Sequence, residues 1–161
     1  MSSLERLDES GAVESVQRVA LPRPVVPATE TGARDLGRRY WADVQRSTRG
    51  IVRADDHGGG VDVLLGGRLA LLRFGPPRPA VEPERVACTY EIVGGALAGR
   101  GGGTLSVEQL GGAEPALVLA VSGYHPRLAG LWRPVYRRLQ APLHRALGRR
   151  FLRRARVARE P

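Results

Sequence analysis

At 161 residues and 42% apolar, the chain fits one domain with a real core, and it has no run of about 18 apolar residues to span a membrane. Its single cysteine, Cys88, excludes an internal disulfide and any cysteine-based zinc cluster. The net charge of +9 comes from 25 basic residues that are all Arg, a coding-bias pattern in which the choice of Arg over Lys carries no message about phosphate.

The first 12 residues are polar and acidic without periodicity and read as a disordered tail. With no apolar signal core between Met1 and Glu14, a cytoplasmic location is expected. Val13 to Leu21 alternates loosely (Val13, Ser15, Gln17, Val19, Leu21) and reads as a first strand. Pro22, Pro24 and Pro27 then force an extended connection. Thr29 or Thr31 can cap a helix in which Ala33, Leu36, Tyr40 and Val44 recur at three- and four-residue spacing beside Trp41, and Ser47 to Gly50 ends it.

From there to about residue 124 the period is two. A short strand over Ile51–Ala54 precedes a turn at Asp55–Gly60. Asp55, Asp56 and His57 are better read as a solvated turn than as metal ligands, because three adjacent turn residues cannot all point inward. Val61, Val63 and Leu65 share a face before the Gly66-Gly67 turn. Leu69–Phe74 is nearly all apolar, as in a strand covered on both sides, and Gly75–Pro83 with its four prolines reads as a loop. Val86, Cys88, Tyr90 and Ile92 line one face of the next strand, with Glu91 on the other. Gly99–Thr104 lacks the Lys and the following helix of a phosphate loop and reads as a hairpin turn. Strands follow at Thr104–Gln109 and Ala116–Tyr124.

The end is helical in pattern. Leu128, Trp132, Tyr136, Leu139, Leu143 and Leu147 form one stripe, with Pro142 inside it. From residue 127 onward there are 11 Arg against the single acid Glu160, whereas residues 1–126 are near neutral. The basic character is therefore local to this last element, with residues 156–161 a basic tail.

The order strand, helix, six strands, long helix predicts an α+β fold: a curled antiparallel sheet of about six to seven strands gripping a long C-terminal helix, over residues 13–155. This order, the Gly-rich hairpin before the penultimate strand and the closing Arg150-Phe151-Leu152 together resemble the START-like superfamily, also called the SRPBCC or polyketide-cyclase-like fold. That resemblance implies a cavity between sheet and last helix. It also implies cyclase or isomerase chemistry, with His125 or a tyrosine as general acid/base.

In such a cavity Tyr90, Cys88, Tyr124, His125, Trp132 and Tyr136 converge, an apolar space with a few polar tips suited to a small apolar or aromatic molecule without metal or cofactor. The same residues also fit a plain packed core. The competing reading uses Arg145, Arg149, Arg150, Arg153 and Arg154 to dock on an anionic membrane surface. Nucleic acid is disfavoured, because only Phe151 interleaves this arginine face.

Overall fold

In the computed structural model, residues 2–7, 12–99 and 102–126 are described. They form an α+β fold with nine strands and one helix: β1 (Ser2–Leu7), β2 (Val13–Ala20), α1 (Glu30–Ser47), β3 (Val52–His57), β4 (Gly60–Leu65), β5 (Leu69–Phe74), β6 (Arg78–Glu82), β7 (Arg85–Gly94), β8 (Thr104–Leu110) and β9 (Ala116–Tyr124). The expected C-terminal helix and basic tail lie outside the described residues.

α1 forms where the stripe predicts. Thr29 is its N-cap, accepting a hydrogen bond from the Gly32 N–H at 3.0 Å, and Glu30 sits in the first turn where the helix dipole favours an acid. Ala33, Leu36, Gly37, Tyr40, Trp41 and Val44 are buried on one side. After Ser47 the Thr48 hydroxyl donates back to the Val44 carbonyl at 3.0 Å, and left-handed Arg49 and Gly50 turn the chain into β3.

All strand pairs are antiparallel, in the order β1-β2-β9-β8-β7-β5-β4-β3, with β6 alongside β7. β1 and β3 are the two ends and no ladder joins them, so the expected curled sheet of six to seven strands is corrected to an open, uncurled one. The reason lies in β7. Its first half pairs with β6 and its second half with β5, where the register shifts at Arg73/Phe74, so the β3–β5 meander leaves sideways rather than closing a barrel.

Four further expectations change. Residues 2–7, expected within a tail, form the edge strand β1 against β2. Asp55, Asp56 and His57 are exposed residues of β3, and only Gly58-Gly59 make the turn, both with positive φ (55° and 87°) as a two-residue hairpin needs. The proline-rich loop contains β6, whose Pro79 is tolerated because that strand has a single sheet neighbour. β5 is not covered on both sides: Leu69 is exposed and only Phe74 is buried, since α1 packs on β3, β6, β7 and β8 and leaves β5 half covered.

The outer sheet face carries polar pairs. Glu108 accepts hydrogen bonds from Arg85 Nε and from the Ser106 hydroxyl, both at 2.8 Å. The Arg85 bond first, and the Ser106 bond after it, hold the Glu108 carboxyl below the usual carboxylate range against the opposing effect of partial burial. A depressed folded-state pKa contributes stability above the unfolded value of about 4.3, and that contribution is lost as pH falls toward the folded value. Thermal melts from pH 7 to pH 3 should therefore show a shallower acid limb for Glu108→Gln than for wild type; superimposable acid limbs would remove this carboxylate from the acid response.

Candidate functional site

The inner face of the sheet is organised as rows that cross four strands. Backbone register aligns Ser15 (β2), Val121 (β9), Leu105 (β8) and Tyr90 (β7) in one row, and Gln17, Leu119, Val107 and Cys88 in the next. A third row holds Val19, Leu117, Gln109 and Val86. Directly opposed residues in antiparallel strands share a face, and every member of these rows is buried. From β2 to β7 a row spans three strand spacings, about 14 Å.

At the β7 end, Tyr90 and Cys88 face α1. Gly37 makes this possible: a Cβ there would collide with the Tyr90 hydroxyl and come within 2.8 Å of the Cys88 sulfur. Trp41 packs edge-on to Tyr90 with ring centres 5.4 Å apart and against Phe74 at 5.0 Å. Burial pushes both the Tyr90 hydroxyl and the Cys88 thiol above their ordinary pKa values. Both are therefore neutral near pH 7, and Cys88 presents no thiolate nucleophile.

Tyr124 lies in the row beyond Ser15, opposite Val13, and its hydroxyl donates to the Leu97 carbonyl at 2.8 Å. That bond ties the loop after β7 to the end of β9. His125 follows it, half-buried, with its backbone carbonyl accepting from the Gly99 N–H at 2.8 Å. Tyr90 and Cys88 thus meet each other under α1, while Tyr124 and His125 stand where β9 ends. Glu91 is on the opposite face from Tyr90, paired with Arg78 at 2.8 Å. Trp132, Tyr136, Arg145, Arg149, Arg150, Arg153 and Arg154 lie outside the described residues.

Two inner-face residues that sequence reasoning placed on a strand but not in a site are Ser15 and Gln17. They are 2% and 1% exposed, yet among the described residues the Ser15 hydroxyl and both amide heteroatoms of Gln17 have no hydrogen-bond partner. The legible signal was their place in the Val13–Leu21 alternation, where two polar residues occupy positions that face the core. The contrast with Gln109, one row over, is sharp. Its side-chain oxygen accepts from the Val25 and Val26 N–H groups at 2.6 and 2.9 Å, and its nitrogen donates to the Val26 carbonyl at 2.9 Å.

The described residues thus define an α+β protein with an open antiparallel sheet and one helix on its inner face; among them no helix is long and apolar enough to cross a membrane. No protein-family profile and no curated protein sequence matches the chain. Among solved structures it is similar to CalU16 from Micromonospora echinospora. The crystal structure of that protein is 14% identical, over 98% of this chain and 92% of that one, with a TM-score of 0.37. Its solution structure gives 13% identity over 94% and 72% of the two chains and a TM-score of 0.39. DynU16, from the dynemicin biosynthetic locus, is 19% identical over 86% of this chain and 45% of its own, with a TM-score of 0.35. Likenesses of this size assign neither a family nor an activity to the chain.

Proposed function

We propose that the protein binds a small apolar or aromatic molecule on the inner face of its sheet, in a cavity closed by the helix expected over Leu128 to Leu147. One observation carries the reading. The inner face continues past α1 across β9 and β2, where Val19, Leu117, Leu119 and Val121 are buried but α1, which packs on β3, β6, β7 and β8, is not their cover. An apolar floor with a few polar groups at its margin is the usual lining of a small-molecule site. The element order adds the START-like expectation of cyclase or isomerase chemistry, for which the half-buried His125 is the candidate acid/base. A cytoplasmic location belongs to the same reading.

The neutral fluorophore N-phenyl-1-naphthylamine tests it. Titrated into the full chain, it should show saturable, equimolar enhancement that is insensitive to salt, because apolar burial is not screened. No enhancement would overturn the proposal. If instead the chain co-sediments with anionic vesicles and is released steeply by salt, the arginine-rich segment is the functional element.

A further inference from the structure

Ser15 and Gln17 give the proposed cavity a chemical preference. A buried carboxamide presents two donors and an acceptor, and a buried hydroxyl one donor and an acceptor. Leaving such groups unpaired is costly, and native interiors rarely do so. Here three such atoms, Ser15 Oγ, Gln17 Nε2 and Gln17 Oε1, have no partner among the described residues, on adjacent inward positions of one strand. Their cross-strand neighbours are Val121 and Leu119, which can satisfy none of them. The same residue type one row away shows what a structural glutamine looks like on this face, since Gln109 uses both ends of its amide on the 25–26 backbone.

We propose that the Gln17 carboxamide and the Ser15 hydroxyl are the polar recognition point for a neutral ligand, one carrying a hydroxyl or carbonyl on an aromatic frame. This rests on the binding reading above and adds the ligand's class. Neutrality follows from the floor itself. The three rows hold Val, Leu, Tyr, Cys, Ser and Gln and no charged residue, so a carboxylate or phosphate placed on them would be desolvated with no counter-charge from the rows. A hydroxyl suits the pair because it can donate to Gln17 Oε1 while accepting from Gln17 Nε2 or Ser15 Oγ. The flat apolar remainder would lie over Leu119 and Val121 of β9.

The test compares naphthalene, 2-naphthol and 2-naphthoate on the full-length protein, wild type and Gln17→Leu, with Ser15→Ala alongside. Leucine matches glutamine in size, so folding should survive the change. Wild type should bind 2-naphthol about tenfold more tightly than naphthalene, and 2-naphthoate least of the three. Gln17→Leu should bring 2-naphthol to within about twofold of naphthalene, leave naphthalene affinity intact and raise the ligand-free Tm. Ser15→Ala should narrow the preference partway. Equal binding of naphthalene and 2-naphthol by wild type would overturn the recognition point while leaving the apolar site standing. Binding of none of the three would overturn both. A ligand-free Tm lowered by Gln17→Leu would show that the amide has a structural partner, such as a buried water, and would also overturn the proposal.

Discussion

Gln109→Leu is expected to cost about 3–4 kcal/mol of folding stability, one of the largest losses available from a single change in this fold. The side chain spans from β8 to the 22–27 segment and satisfies three backbone groups there, the N–H of Val25 and the N–H and carbonyl of Val26. Val25 and Val26 are themselves buried, at 6% and 5% exposure, so water does not replace the lost bonds unless the segment opens. Each orphaned buried group costs about 1–3 kcal/mol, and local opening caps the sum. Urea denaturation should show the midpoint falling with the m-value unchanged. The same substitution at Gln17, on the same face and one row over, should move the midpoint the other way by about 1–3 kcal/mol, because leucine there removes an unsatisfied amide and keeps the volume. A cost below about 1 kcal/mol for Gln109→Leu would mean that the segment is held by its apolar contacts alone.

The opposite signs show what strand periodicity reveals and what it leaves out. Alternation alone is enough to put Gln17 and Gln109 on inward positions, and to put Tyr90 and Cys88 together with Glu91 behind them. It is silent on partners, which come from segments far away in sequence: Val25 lies 84 positions from Gln109. Tyr90 and Cys88 do face inward, but what they meet is α1 at Gly37 and Trp41. The helix and hairpins were legible where the signal is local. The Thr29 cap, the Ala33–Val44 stripe and the Gly66-Gly67 turn depend only on neighbours in the chain.

The strands that escaped reading are those whose existence depends on a neighbour. β1 is short and mostly polar, and forms because β2 offers a free edge; β6 contains Pro79 and forms because the first half of β7 offers one too. In both cases pairing overrides composition. β5 erred in the other direction. An unbroken apolar run resembles a doubly covered strand, but its place toward one end of the sheet leaves Leu69 in solvent. α1 covers only part of a sheet this wide, and the rows that run on to β2 carry the polar atoms left unpaired among the described residues.

Gly37→Ala reverses the usual sign of a glycine-to-alanine change in a helix, and the reversal tests how tightly α1 is seated. In an exposed helix interior the substitution gains about 1 kcal/mol through backbone entropy. Here the new methyl would overlap the Tyr90 hydroxyl and press on the Cys88 sulfur, and both side chains are buried, at 2% and 0% exposure, with little room to swing away. Overpacking of this kind costs about 1–3 kcal/mol, and displacing α1 would also disturb the Trp41 contacts with Tyr90 and Phe74. We expect Gly37→Ala to be destabilised by about 2 kcal/mol net, read as a lower urea midpoint. Tyr90→Phe removes the oxygen nearest the new methyl, so the Gly37→Ala/Tyr90→Phe double variant should recover at least half of that loss. The coupling would appear as non-additivity in a double-mutant cycle. Additive effects, or a stabilising Gly37→Ala, would place the helix further from β7 than this packing requires. A coupled pair would establish that the β7 end of each row is closed by α1.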